Sequence, residues 1–481
     1  MQQPSKITEY LETVRQQIRW KRAQTPVLEE IESHITEQTN AFISDGINEE
    51  AAIDRTIAEM GDPIVVGEQL DRAHRPRLDW PLLVITVTML LLGLVIQFLI
   101  GPNHFNNGTE VFEKQIIWSG IAILVMSAVY FVDFTMIGNY PKSIIFVLCA
   151  ITITGYFFTE SAINSIYTFN LPLLFPTAFA GLVYKMRTKG YSGLILCGVA
   201  FIIFASLSMF VPLVPTITMF FLLGTSCLII LTAAVQKGWF NVRKLSAMLS
   251  MYIPTAVILF TPLFMVRGEG YASKRIQVML NPSLDPTGYG YMGTIIQQFL
   301  SHSQFIGKGL PINGYGEYSA SQILPAANTD FLLTYLIYTV GWVVLIGIIA
   351  LVLAFIMRTV ILCKKQKNVL GFLVSLAIIS TFTVQCLIYI ASNLGFSLVS
   401  PLSLPQISYG GPVIVTNMCL IGCLLSVFRT GTSMRDKAEV AVAKSSRFIH
   451  YDNGQIIIHL KPTKLSIPYS WLSRSFLSLW S

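Results

Sequence analysis

Between Trp80 and Arg429 the chain carries about ten stretches of nearly uncharged, apolar residues, most long enough to cross the roughly 30 Å hydrocarbon core of a bilayer as helix. A backbone in lipid must satisfy its own hydrogen bonds, and continuous apolar runs of this length do so only as helices. The stretches are Pro81 to Ile100, Ile116 to Phe134, Ser143 to Phe158, Leu171 to Tyr184, Tyr191 to Val211, Pro212 to Val235, Ser246 to Val266, Asp330 to Met357, Asn368 to Leu394 and Leu402 to Phe428, the third and fourth being short. A content of 53% hydrophobic and 12% charged residues over 481 positions agrees. The expected fold class is an all-α polytopic membrane protein of about ten transmembrane helices, with a small soluble helical N-terminal domain.

Loop charges orient the spans. Lys142, the Lys185/Arg187/Lys189 cluster, Lys237/Arg243/Lys244 and Arg358/Lys364/Lys365/Lys367 fall in alternate loops, whereas the loops around Glu160 and Ser397 have no Lys or Arg. The positive loops are expected inside. Both termini are then cytoplasmic, and the large loop 267–329 lies outside, with Asp330 facing the outer leaflet. The net charge of +7 reflects this bias; no basic block is dense enough to suggest nucleic acid. All seven cysteines lie in spans or at their cytoplasmic ends, which argues against a disulfide framework or a Cys/His metal site.

Three regions follow. Residues 1–79 are charged and helically periodic, with a cap at Thr25 and Pro26, a stop at Gly46, a second helix from Asn48 to Gly61, and a last one opened by Asp62 and Pro63. There is no apolar signal-peptide core. The stretches EEIESHITEQ and EMGDP resemble the helical prefix domain ahead of some permease-like proteins of Gram-positive bacteria, which implies a docking or regulatory role. His34 beside Glu30 and Glu32 is read as a solvated helical face. Residues 80–428 form the transmembrane domain. Residues 429–481 form a cytoplasmic tail in which RFIHYDNGQIIIHL reads as two short strands around Asp452, Asn453 and Gly454. The end of the tail, YSWLSRSFLSLW, suits either a membrane-surface segment or a frayed terminus.

Asp330, in LPAANTDF, places a carboxylate at the mouth of an apolar span, a costly position that usually marks function. By position alone a charge favoured by a helix N-terminus is the lesser alternative. The preceding loop is long and punctuated by Gly and Pro, with an apolar stretch from Met292 to Leu300 that reads as a helix, so a folded lid is expected. Its cations are Lys274, Arg275 and Lys308, the last flanked by Gly307 and Gly309, whose backbone N–H groups could approach an anion. A turn with a solvated lysine is the plainer reading. Asp285 before Pro286 reads as a turn former, Asp133 as a structural hydrogen-bonding group, and His302 as a solvated loop residue.

The order of these parts carries more than any one of them. Arg275, then Asn-Pro, Asp-Pro-Thr-Gly-Tyr-Gly-Tyr, Gly-Lys-Gly and Leu-Pro-x-x-x-Thr-Asp-Phe are followed by LPQISYGG at Leu404 to Gly411. Over roughly Tyr271 to Arg429 the chain resembles the SEDS (shape, elongation, division and sporulation) family, the FtsW/RodA/SpoVE group; the first six spans match in hydropathy alone. The resemblance implies a glycosyltransferase that polymerises lipid II at the outer face of the bacterial plasma membrane with a class B penicillin-binding protein. It places the catalytic residue on Asp330, and substrate-binding residues on Arg275, Lys308, Ser408, Tyr409, Gly410 and Gly411, with no metal ligand assigned. The chain also departs from the family pattern. Tyr338, Thr339, Val340 and Gly341 stand where Glu-Glu-Leu-Gly is usual, Ala326, Ala327 and Asn328 replace Glu-Ala-His, and Pro412 follows SYGG. Loss of those carboxylates bears on the partner interface and on any metal.

The chemistry can be stated without the family. A sugar hydroxyl attacks the anomeric carbon of a second lipid-linked disaccharide and expels a polyprenyl pyrophosphate. One positioned carboxylate base serves the attack, and Asp330 is the candidate. The leaving group needs no second acid of the glycoside-hydrolase kind; Lys308 and Arg275 would offset its charge, with or without a divalent cation. Two other readings stand beside this one: a flippase for lipid-linked precursors, which would want polar groups spread through the spans, and an inactive scaffold of a cell-wall synthase.

Overall fold

The structure is a computed structural model and describes residues 6–75, 78–104, 108–158, 171–210, 216–265, 274, 277–278, 281–312, 320–396, 402–430, 449–452 and 455–458. Four helices precede the first span: α1 (Lys6–Gln17), α2 (Lys21–Ser44), α3 (Glu49–Met60) and α4 (Pro63–His74). Their own core contains Tyr10, Val14, Ile18, Val27, Ile31 and Ile35. The start of α4 follows the expectation, with Asp62 accepting from Ile64 N at 2.8 Å and Gly61 closing α3 at φ +83. The start of α2 does not. It begins at Lys21, with Pro26 inside the helix. Proline there forfeits one backbone bond, while Ala23 and Val27 of the same turn are buried and Gln24 Nε2 donates to Ile18 O at 2.9 Å. Tertiary contacts thus begin the helix ahead of its local start signal.

The transmembrane region contains α5 (Trp80–His104), α6 (Gly108–Phe131), the short α7 (Thr135–Asn139), α8 (Pro141–Phe158), α9 (Phe175–Met186), α10 (Gly190–Phe210), α11 (Thr216–Gln236) and α12 (Lys244–Met265). The long segment after α12 adds α13 (Tyr291–Ser301) and α14 (Ala320–Ile323), and α15 (Leu332–Val340), α16 (Val343–Lys364), α17 (Val369–Asn393) and α18 (Gly411–Thr430) complete the region. Seven of these are long and apolar enough to cross a membrane among the described residues, and the third and fourth apolar stretches are shorter, as expected. The fold is that of an all-α polytopic membrane protein. Large side chains such as Leu124 and Phe146 remain exposed on the spans, as lipid-facing residues do.

Two expected spans are corrected. The stretch from Asp330 to Met357 is two helices, because Gly341 at φ +112 interrupts it between α15 and α16. The last span starts at Gly411, and Leu402 to Gly410 form a loop. Hydropathy cannot see either break, since both interrupted segments stay apolar.

Close packing fixes the loop. Gly411 lies against the Trp118 indole, and a Cβ on Gly422 would sit 2.5 Å from Met126 O. Ser426 Oγ donates to Val132 O at 2.6 Å, so α6 and α18 run parallel with their residue numbers rising together. On the other side, a Cβ on Gly93 of α5 would sit 2.5 Å from Gln406 O. At the opposite end of α5, Asp79 accepts from Leu82 N at 3.0 Å and pairs through both oxygens with Arg358 of α16, at 2.6 and 3.1 Å. Asp133 accepts from Thr135 N at 3.1 Å, the structural role expected of it.

The chain's second compact unit, 435–481, contains the expected hairpin. β1 (Ile449–Asp452) pairs antiparallel with β2 (Gln455–Ile458), Ile449 opposite Ile458 and Asp452 opposite Gln455.

Replacing Gly411 by Val drives a side chain into Trp118, and overpacking of this kind costs on the order of 1–3 kcal/mol. Thermal unfolding in detergent should show a lowered midpoint for Gly411→Val and no loss for Gly120→Ala, whose Cβ would meet nothing within 4 Å.

Candidate active site

The segment that carries Asp330 is bent before it becomes helical. Ala326 sits at φ +52, and its carbonyl accepts from Thr329 N at 3.0 Å and Phe331 N at 3.2 Å. Two residues before Asp330, the Asn328 carbonyl accepts from Gln97 Nε2 of α5 at 3.1 Å and from Tyr409 N at 3.1 Å. One carbonyl thus joins α5, the Thr-Asp-Phe segment and the Ile-Ser-Tyr-Gly-Gly loop. Leu324 and Ala327 are buried beneath the turn.

Asp330 precedes α15, belongs to none of the seven helices long and apolar enough to cross a membrane, and is half-buried. Its carbonyl accepts from Asn393 Nδ2 at 2.9 Å. Its carboxylate has no hydrogen-bond or ion-pair partner among the described residues, and burial pushes its pKa up to about 6. The helix that follows is capped from elsewhere. Leu333 N donates to Tyr389 Oη at 3.1 Å, and Thr334 N and Oγ1 donate to Asn393 Oδ1 at 3.0 and 2.9 Å. Neither α17 residue stands out in the sequence, because Tyr389 and Asn393 lie at the end of an apolar span with no motif around them.

Ser408 is 1% exposed. Its Oγ accepts from Leu404 N at 3.1 Å and donates toward Tyr389 Oη at 3.5 Å. A hydroxyl so engaged holds the loop in place and bonds it to the residue that caps α15. Tyr409 and Gly410 are half-buried beside it, with Gly410 at φ +154. Gly411 is buried at the first position of α18, where its missing side chain admits Trp118. The Asp330 segment and the loop from Ile407 to Gly411 are therefore neighbours.

Lys308 is placed differently. Gly307 N donates to Val340 O and Gly309 N to Tyr338 O, each at 2.7 Å. The N–H groups expected to approach an anion instead satisfy carbonyls at the C-terminus of α15, which would otherwise be orphaned. Lys308 is exposed at that end, and nine helical residues separate the two ends by roughly 14 Å. It is thus not brought to the Asp330 carboxylate. Arg275 lies outside the described residues. The loop owes its seat to one of the departures from the family pattern: Tyr338 Oη donates to Leu310 O at 3.0 Å, its ring packs edge-on to Phe299 of α13 at 4.9 Å, and a Cβ on Gly309 would sit 2.6 Å from it. The helix expected over Met292 to Leu300 is α13. Asp285 forms the expected turn, accepting from Gly288 N and Tyr289 N at 3.0 Å each, and His302 Nδ1 is 2.9 Å from Gln298 O. Among the described residues no three His, Cys, Asp or Glu side chains gather as a metal site requires.

An open apolar cavity of about 420 Å³ runs beside α15, between Leu92, Ile96 and Leu99 of α5, Tyr335 and Leu336 of α15, and Val344 and Ile348 of α16.

Residues 79–432 match the sequence profile of the FtsW/RodA/SpoVE cell cycle proteins. The chain belongs to this family. It is 32% identical over 180 residues to a probable peptidoglycan glycosyltransferase FtsW of Geobacter metallireducens, covering 37% of this chain and 46% of that one. It is 30% identical over 212 residues to the peptidoglycan glycosyltransferase MrdB of Escherichia coli, covering 43% and 54%. The chain thus spans about half the length of the curated relatives it matches. A solved chain from a peptidoglycan synthase complex that coordinates polymerization and crosslinking superposes with a TM-score of 0.56 at 15% identity, over 75% of this chain and 99% of that one. At that identity the likeness is one of fold.

The pKa of Asp330 sets a sign for stability. The folded value, about 6, lies above the unfolded value of about 3.9, so its contribution is complete below the unfolded pKa and is lost as pH rises through about 6. Asp330→Asn should therefore raise the thermal midpoint at about pH 8 and leave it little changed near pH 3.5. A uniform effect at both pH values would show that the carboxylate is not desolvated.

Proposed function

We propose that the protein polymerises lipid II at the outer face of the bacterial plasma membrane, with Asp330 as the general base. The observation that carries this reading is the Asp330 carboxylate itself: half-buried, without a partner among the described residues, and poised near 6 at the start of a helix beside the Ile-Ser-Tyr-Gly-Gly loop. A base that must be ionised to work and must still accept a proton is best matched to a pKa near the working pH.

The acceptor sugar's hydroxyl gives its proton to a carboxylate oxygen of Asp330 as its oxygen bonds the anomeric carbon of the donor. The bond from that carbon to the pyrophosphate oxygen breaks on the opposite face, inverting the centre. Tyr409 and the backbone at Gly410 border the sugar, and the apolar cavity between α5, α15 and α16 suits a polyprenyl chain. Because the pyrophosphate leaves on the face away from the base, Lys308, exposed at the far end of α15, is proposed to offset its charge together with Arg275. A class B penicillin-binding protein is the proposed partner, both termini are proposed to be cytoplasmic, and the 1–79 domain is proposed to dock or regulate from that side.

The departures from the family pattern at Ala326 to Asn328 and Tyr338 to Val340 favour, as a second reading, a scaffold that recruits a synthase without catalysing.

Polymerisation of lipid II by the purified protein, alone and with candidate class B penicillin-binding proteins, decides between them. Wild type should form glycan chains, Asp330→Asn should lose at least about a hundredfold in rate, and the wild-type rate should fall about tenfold per pH unit below about 6, where Asp330 becomes protonated. Folded protein that makes no polymer with any partner would favour the scaffold; movement of lipid II across the bilayer without polymer would favour a flippase.

A further inference from the structure

An isolated helix start draws acceptors to itself. The N–H groups of its second and third residues are those an N-cap side chain takes, and in α15 these belong to Leu333 and Thr334. The N-cap residue is Phe331, which offers no side-chain acceptor. The nearest carboxylate on the same segment is Asp330, and a carboxylate at a helix start is ordinarily drawn to such N–H groups, which occupies its oxygens and favours its charged form. In this protein both N–H groups are already taken by α17, Leu333 N by Tyr389 Oη at 3.1 Å and Thr334 N by Asn393 Oδ1 at 3.0 Å.

Asn393 is fully buried, and both ends of its amide are engaged. Oδ1 accepts from Thr334 N and Oγ1, while Nδ2 donates to Asp330 O at 2.9 Å and to Tyr389 O at 3.0 Å. One amide therefore caps the helix and holds the Asp330 backbone. Tyr389, one turn earlier on α17, reaches the same helix start and Ser408 of the loop.

We propose that Asn393, assisted by Tyr389, is a positioning residue that caps α15 from a neighbouring helix and so leaves the Asp330 carboxylate unengaged for the substrate's proton. This rests on the reading of Asp330 as the base. The groups that face Asp330 leave little else to tune it: Tyr389 is the titratable residue of α17 there, Tyr409 that of the loop, and no Lys, Arg or His among the described residues contributes to the pKa shift, whose cause is burial.

The test uses the full chain with Asn393→Leu, Tyr389→Phe and Asp330→Asn, singly and with each α17 change combined with Asp330→Asn. Asn393→Leu frees Thr334 N, and Tyr389→Phe frees Leu333 N, to take the Asp330 carboxylate. In Asn393→Leu, kcat for lipid II polymerisation should fall at least tenfold with KM within about twofold, and the acid limb of the pH profile should move at least half a pH unit lower. Tyr389→Phe should move both quantities in the same direction by less. An acid limb that stays in place while activity falls would overturn the proposal, as would unchanged kinetics. If Asn393→Leu does not fold, the near-isosteric Tyr389→Phe decides by the same criteria.

A readout independent of activity separates this proposal from the reading beneath it. The change in thermal midpoint that Asp330→Asn produces, followed from about pH 4 to about pH 8, reports the pKa of Asp330 in each background. The pH-dependent penalty expected in the wild-type background should shrink in the Asn393→Leu or Tyr389→Phe background; if it does not, the cap does not act on Asp330. Full activity of Asp330→Asn, by contrast, would remove the base assignment while leaving this stability comparison to judge the cap.

Discussion

Two hydrogen bonds from the start of α15 to α17, Leu333 N to Tyr389 Oη and Thr334 N to Asn393 Oδ1, are the constraint on which the candidate site depends. A nine-residue helix is too short to be stable alone, and unsatisfied backbone groups next to lipid are costly. α15 persists because both ends are closed by other elements. Its N-terminus is capped by α17, and its C-terminal carbonyls are met by Gly307 and Gly309 of the loop after α13. The same bonds that stabilise the helix join the Thr-Asp-Phe segment, the Gly-Lys-Gly loop and, through Tyr389 and Ser408, the Ile-Ser-Tyr-Gly-Gly loop.

Glycines supply the second requirement, close approach. Gly93 lets the Gln406 and Ile407 backbone lie against α5, Gly411 admits the Trp118 indole, and Gly422 meets the Met126 backbone. Helices in lipid gain little from hydrophobic exclusion, so packing at small residues carries more of their association. In this way α5, α6 and α18 form a rigid frame around a loop that has no regular structure of its own.

Electrostatics divide the site. At the N-terminal end of α15 the carboxylate is desolvated and its pKa is raised; at the other end Lys308 is solvated. Both residues belong to motifs of one family, yet the helix between them holds them apart. A carboxylate kept half-buried without a partner lowers stability at neutral pH, which is the usual mark of a group retained for function. Tyr338 shows the converse case, a residue that departs from the family pattern and serves as the anchor for the Gly-Lys-Gly loop.

The apolar runs, the caps at Asp62 and Gly61, the helix α13 and the hairpin around Asp452 were all legible in the sequence, because each depends on local periodicity or turn chemistry. The site was legible as residues but not as an arrangement. That the eighth apolar run breaks at Gly341, that α2 continues through Pro26, that Ser408 bonds inward, and that the Gly307 and Gly309 N–H groups face a helix end were decided by tertiary contacts. So were the roles of Tyr389 and Asn393. The physical reason is common to all of them: hydropathy and propensity describe each segment's own preference, whereas the partner of a buried N–H or carbonyl is chosen by whichever distant segment packs against it.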